Sequence, residues 1–217
     1  MWNELETSWQ YTLELLWKSF VNESSPIGAI ITDEQGDIVT VGRNRITDRT
    51  SQNPIACTRM AHAEMTAMMQ LKTEKHPDIR KYKLYVTLEP CPMCFGTMLL
   101  MHIGELVYGT ADKWAGATNL IDKNEYMRTR RIKIRHEGGH VEVFQVVLQI
   151  YHEMVRRQTR ENVVELWKET NFEAAELGER LVREHYFEEV GNIPVNEVFD
   201  EIISMYSDLV IENKNSY

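Results

Sequence analysis

No stretch of the 217 residues approaches the roughly 18 apolar positions that a membrane-spanning helix needs, so no membrane partner is expected. The opening Met1-Trp2-Asn3-Glu4-Leu5-Glu6 lacks the basic and then apolar pattern of a signal peptide. An intracellular, cytoplasmic protein is the expectation. Cysteine is scarce as well. Cys57, Cys91 and Cys94 make an odd number at no disulfide-framework spacing, which argues against a stapled secreted fold. In a reducing compartment, two close cysteines bind metal or do redox work more often than they form a bridge.

Basic residues are nearly missing from the last part of the chain. Residues 161–217 hold 4 Lys and Arg against 14 Asp and Glu, whereas residues 1–160 hold 20 against 19. The net charge of −9 therefore belongs to the tail, and the near-neutral remainder can still present a local basic patch. At 43% hydrophobic and 26% charged residues, the composition fits one main core with an appendage. The expected division is a domain over 1–160 that carries the chemistry and an acidic helical extension over 161–217. That extension reads as an ordered appendage with a solvated acidic face, or as a regulatory or partner-binding element.

Apolar residues at Leu5, Trp9, Leu13, Leu16, Trp17 and Phe20 have helical spacing. Ile27–Thr32 and Ile38–Val41 are β-rich runs around the turn composition Asp33–Asp37, which predicts a hairpin. A polar loop over Arg45–Met60 leads to a helix at Ala61–Leu71. A strand at Leu84–Leu88, a helix at Pro92–His102 and strands at Glu105–Tyr108 and Val141–Gln145 follow, before helical periodicity returns over Val146–Arg157. Strands alternating with helices predict a three-layer α/β/α domain around a mixed five-stranded sheet. Beyond Glu161, two helical segments are expected, at Val163–Val190 and Val195–Ile211.

Two short segments carry the chemistry. His62-Ala63-Glu64 opens one predicted helix, and Pro90-Cys91-Pro92-Met93-Cys94 joins a strand to another. Cysteines three apart on a first helical turn point the same way. Pro92 suits the first helical position, and the helix N-terminus favours thiolate. Two thiolates and one imidazole give zinc three protein ligands and leave the fourth tetrahedral position to water, as in a catalytic rather than a structural site. Glu64 lies near enough to move protons without ligating the metal. Each segment alone is weak, since a lone Cys-x-x-Cys also serves zinc knuckles and redox sites. Neither a second Cys-x-x-Cys nor a paired histidine is present to complete a zinc finger.

Taken together, the two segments resemble the cytidine/deoxycytidylate deaminase superfamily, whose signature pairs His-x-Glu with Pro-Cys-x-x-Cys. Leu84–Cys91, Gly42-Arg43-Asn44, Pro26–Ala29 and Tyr108–Lys113 are similar to bacterial tRNA adenosine deaminases. His62–Ala67 with Cys91–Cys94 is also similar to guanine deaminases of that superfamily. The resemblance covers about residues 5–157 and implies Zn2+ on His62, Cys91 and Cys94, with Glu64 as the catalytic proton carrier. It implies substrate contacts from Asn44 and from the backbone around Ala63 and Glu89, and a homodimer. Asn44 also reads as a residue that shapes a turn.

The implied reaction is hydrolytic removal of an exocyclic amine from a nucleobase. Arginines at 43, 45, 49 and 59, and Arg128, Arg130, Arg131, Lys133 and Arg135, suit phosphate or RNA; they read equally as solvated loops or partners of the acidic tail. A small purine base, nucleoside or nucleotide is favoured over tRNA, because an acidic extension near an RNA path would repel phosphates. Deamination of a tRNA wobble adenosine and a silent zinc-containing interaction module are the alternatives. Cys57 is expected to be a small loop or buried thiol, and His140, His152 and His185 to be structural or exposed.

Overall fold

The computed structural model describes residues 1–49, 51–157, 161–188 and 190–215; the expected domain boundary at residue 160 lies outside them. Helix α1 (Thr7–Val21) buries Trp9, Leu13, Leu16, Trp17 and Phe20, the stripe expected from their spacing. Strands β1 (Gly28–Thr32) and β2 (Ile38–Arg43) form the hairpin. Then come α2 (Ala63–Met68), β3 (Lys83–Leu88), α3 (Pro92–Leu100), β4 (Glu105–Thr110), α4 (Glu125–Thr129) and β5 (Lys133–His136). Helix α5 (Gly139–Tyr151) runs into a π-helical turn at His152–Arg156. Helices α6 (Glu161–Thr170), α7 (Phe172–Arg183) and α8 (Val195–Asn215) follow.

The five strands lie in the order β2-β1-β3-β4-β5. β1 is antiparallel to β2 and β3, whereas β3, β4 and β5 run parallel. Period-two alternation sends Ile30, Tyr85 and Val107 to one face, where α1 and α5 cover them. Ala29, Ile31, Leu84, Val86 and Leu106 go to the other, under α2 and α3. This is the mixed-sheet, three-layer architecture expected from the sequence. Gly42 fixes how closely α2 meets β2, because a Cβ there would run into the Ala63 carbonyl and the Ala67 amide nitrogen. That contact places the first turn of α2, and with it Glu64, against the end of the hairpin.

Two elements differ from expectation. Val141–Gln145, expected as the fifth strand, is the first half of α5. Its β-branched run mimics a strand because α5 is buried on nearly every side, by the sheet on one face and by α7 and α8 on the other, and the polar positions at helical spacing, Gln145, Gln149 and Glu153, begin only at the end of that run. The true fifth strand, Lys133–His136, is an edge exposed at every position, with Ile134 its one apolar residue. Such an edge discourages pairing with another chain and carries no apolar alternation to read. The segment expected as one helix from Val163 breaks at Asn171, whose side chain accepts from the Ala174 amide (3.1 Å) and caps α7.

The acidic extension is packed against the rest of the chain. Phe199 of α8 is fully buried, with its ring 5.5 Å from Trp2 and 5.2 Å from Phe144. Gly178 lets α7 approach α5 at Ile150, where a Cβ would sit 2.9 Å from the isoleucine's own. No helix among the described residues is long and apolar enough to cross a membrane. Phe199→Ala should cost about 3–5 kcal/mol. In urea unfolding followed by far-ultraviolet circular dichroism, the whole transition should move as one. An early, separate loss of helix alone would show that the extension folds independently of the sheet.

Candidate active site

Two helix starts meet beyond the C-terminal end of β3. His62 precedes α2 in extended conformation, and Cys91 precedes α3 with Pro92 in the first turn, so both backbones are set by their caps. The His62 Nδ1 lies 3.6 Å from each sulfur, and the three donor atoms all fall within 4.8 Å of one another. Zinc–sulfur bonds of about 2.3 Å and zinc–nitrogen bonds of about 2.05 Å at tetrahedral angles give a donor–donor edge of about 3.6 Å. The donor triangle therefore fits zinc. Cys94 and His62 beside Cys91 hold its thiol down to about 4, while Cys91 and burial push the Cys94 thiol up. Burial opposes protonation of His62, but its hydrogen bond to Cys91 and the nearby Glu64 charge raise it. Such thiolate–imidazolium character is the charge state that a divalent cation replaces.

Glu64, in the first turn of α2, is 3% exposed, and its Oε2 meets no hydrogen-bond partner among the described residues. Burial pushes its carboxyl up, countered in part by the His62 charge. Asn44 follows β2 and is also buried. Its Oδ1 accepts from the Ile46 amide, the turn role, while its Nδ2 meets no acceptor among the described residues and Asn44 lines the cavity. Ala63 is fully buried beside the donors. The Glu89 carboxylate accepts from the Asp112 and Thr118 amides at 3.1 and 3.0 Å and from the Thr118 hydroxyl. Its side chain thus staples the 110–118 loop, leaving only its backbone for a substrate. Cys57 is exposed in its loop and takes no part in the donor set.

Asn44, His62, Glu64, Glu89 and Cys91 line a cavity of about 520 Å³, within the ~300–1,000 Å³ typical of small-ligand sites. The sequence reading missed its other wall. Gln149, His152 and Glu153, all less than 5% exposed, face it from the end of α5 and the π turn. Val163 and Trp167 of α6 close a further side, and Lys113 Nζ donates to the Glu169 carbonyl (2.9 Å), tying α6 to the loop that Glu89 staples. The signal was present. Gln145, Gln149 and Glu153 recur every four residues as a polar stripe down an otherwise apolar helix.

The first basic cluster is largely spent within the loop, where Arg43 and Arg45 both pair with Asp48. Only Arg59 of that cluster reaches the cavity. Arg130, Arg131 and Lys133 surround a separate hollow with Arg80 and Gly104, at the opposite ends of β3 and β4.

The model of the cytidine and deoxycytidylate deaminase zinc-binding region matches residues 3–110, a span that contains all three donors and Glu64. The tRNA-specific adenosine deaminase of Aquifex aeolicus is 31% identical over 111 residues, covering 49% of this chain and 68% of that protein. The chain belongs to the cytidine and deoxycytidylate deaminase family. Within it, the tRNA-specific adenosine deaminase of Haemophilus influenzae is 34% identical over 113 residues, 52% of this chain and 61% of that one. A tRNA(Ile)-lysidine synthase of Deinococcus radiodurans is 38% identical over 106 residues, 48% of this chain. The chain spans only 17% and 61% of the lengths of the Deinococcus and Haemophilus proteins. A solved structure from work on A-to-I editing by tRNA:A34 deaminases shares the fold, with TM-score 0.53 and 23% identity over 65% of this chain and 97% of that one. Zinc is the metal of this family's site, and the His62, Cys91 and Cys94 triangle is the place for it here.

Cys91→Ala should lower bound zinc from about one equivalent to near none by atomic absorption, with a lower melting temperature. A variant that keeps its metal would disprove the ligand set. His152 gives a pH signature of the second wall. Burial, with the charges of Arg156 and Arg157, holds its pKa down to about 3, below its ordinary 6.5. Below about 6.5 the unfolded chain therefore binds one proton more than the native one, so stability falls as pH drops toward about 3 and is untouched above 6.5. Between pH 7 and pH 5, His152→Gln should lose less melting temperature than the parent. Parallel curves would place His152 outside this linkage.

Proposed function

We propose that the chain is a zinc-dependent hydrolytic deaminase of small purines, a base or nucleoside, releasing ammonia from the exocyclic amine. The observation that carries the reading is the α6 wall. Val163 and Trp167, 6% and 4% exposed, close the cavity that holds the donor triangle, which suits a small molecule better than a polynucleotide loop. Charge supports it. Five carboxylates line the cavity against three arginines, a poor setting for phosphate.

When bound, zinc supplies an activated water at neutral pH. Glu64, buried beside the donors with one oxygen lacking a protein partner, takes the two protons of the attacking water in turn, passing the first to the ring nitrogen and the second to the departing amine, which leaves as ammonia. Asn44 Nδ2 donates to a ring acceptor and sets the orientation of the base. The stapled 110–118 loop and α6 exclude bulk water around it.

A second reading, deamination of a wobble adenosine in tRNA, is favoured by the names of the curated relatives at 31–34% identity. One assay separates the two: ammonia release from purine bases, nucleosides and nucleotides beside inosine formation in a tRNA anticodon stem-loop. Turnover of a free purine, with none on the stem-loop, is expected. Inosine in RNA alone would overturn the small-substrate reading, and stoichiometric zinc without turnover on any of these would favour a silent binding module. Glu64→Gln should keep its zinc and lose at least about 100-fold in turnover; undiminished ammonia release would remove Glu64 from the mechanism.

A further inference from the structure

The wall formed by the end of α5 is more polar than its burial calls for. Gln145, Gln149 and Glu153 are at most 4% exposed on a helix whose other buried positions are nearly all apolar. Gln145 Nε2 donates to Gln149 Oε1 (3.4 Å), Gln149 Nε2 donates to Glu153 Oε1 (2.8 Å), and Arg157 Nη1 donates to that same oxygen (3.0 Å). Sequestering a carboxylate is costly unless it is well paired, and the packing of α5 would accept an apolar side chain instead. The backbone is irregular at the same place. The π turn at His152–Arg156 breaks the α-helical phase where Gln149, His152 and Glu153 face the cavity, and π turns inside helices recur at functional sites. His152 Nε2 adds a hydrogen bond with the Ser25 hydroxyl (3.1 Å), and Ser25 lines the same cavity.

The metal donors belong to α2 and α3 on one face of the sheet, and this polar wall belongs to α5 on the other. A ligand whose amine sits at the donor triangle can therefore span the ends of β3 and β4, past Ile27 and Leu88, toward the wall. The cations of the wall are already engaged. Arg156 lies over the Phe20 ring at 4.3 Å and donates to the Phe20 carbonyl (2.6 Å), and Arg157 pairs with Glu153. What faces the ligand is an amide, a carboxylate and a neutral imidazole beside a hydroxyl. Groups that both donate and accept, without negative charge, match that set, and vicinal sugar hydroxyls have this character. Phosphate does not.

Resting on the purine-deaminase reading above, we infer that the Gln149–Glu153 wall is a pentose subsite, so that the substrate is a nucleoside rather than a free base or a nucleotide. Gln149 is the specificity-determining contact, and Glu153 positions its amide. The test is calorimetric titration of the zinc-loaded Glu64→Gln protein, which binds without consuming its ligand, with adenosine, guanosine, their free bases and their 5′-monophosphates. A nucleoside is expected to bind at least about tenfold tighter than its base and no weaker than its monophosphate. Adding Gln149→Leu, or the length-matched Gln149→Met should the first variant melt early, is expected to erase that advantage.

Bases binding as tightly as nucleosides, monophosphates binding tighter, equal loss for base and nucleoside in the Gln149 variants, or no nucleoside binding would each overturn the subsite. Selective, Gln149-dependent nucleoside binding without ammonia release by the unmutated protein would overturn the deaminase reading and leave the subsite standing.

Discussion

Everything at this site depends on one juxtaposition: two helices begin close enough that the donor atoms from their first turns or caps lie within 4.8 Å of one another. Helix α2 is set by contact of its Ala63–Ala67 turn with Gly42, and α3 by the exit of β3 through Pro90 into Pro92. Both contacts are backbone-level and sit on the same sheet. The 3.6 Å donor spacing is therefore a property of how the layers pack rather than of any flexible side chain. Glu64 inherits its place from the same turn, which is why its carboxylate can be dry, close to the donors and outside their set.

Much of this was legible from sequence because the relevant signals are short and local. His62, Glu64, Cys91 and Cys94 are spaced by helical geometry, and Pro92 marks the start that brings the thiols together. The five-stranded sheet was foreseen, but its last strand was not. Lys133–His136 meets β4 through its backbone and the stacked rings of His136 and Tyr108 and carries no buried side chain, so its pairing is invisible to any reading of apolar period. The misassigned Val141–Gln145 failed for the opposite reason. A helix covered on nearly all sides shows a hydrophobic run over a window as short as five residues.

The second wall was missed because its residues lie outside the family signature. Gln149 and Glu153 continue a four-residue polar spacing from Gln145, but the π turn at His152–Arg156 that accompanies their place at the cavity is a local change of phase that composition does not announce. Trp167 is an ordinary apolar position on an amphipathic helix until α6 is seen to fold back beside Trp114 and the loop held by Glu89. Glu197, Glu201, Asp208 and Glu212 of α8 face solvent, Glu173, Glu176 and Glu179 of α7 are half-buried, and the apolar stripe of both helices completes the core. The acidic count of the tail thus describes mostly α8's outer surface, while Asp200 turns inward to accept the Trp2 amide.

The shared core also sets an order of assembly. The donors, Glu64 and the whole sheet precede residue 140, whereas Phe199, which covers the outer side of α5 at Phe144, lies far down the chain. As the chain leaves the ribosome, the metal-binding half can form while α5 still presents an uncovered apolar flank. The residues that line the cavity end at Trp167, so they too emerge before the helices that cover α5 from outside. A chain interrupted before α8 would expose a sticky helix beside an intact metal centre, the kind of half-made surface that chaperones hold.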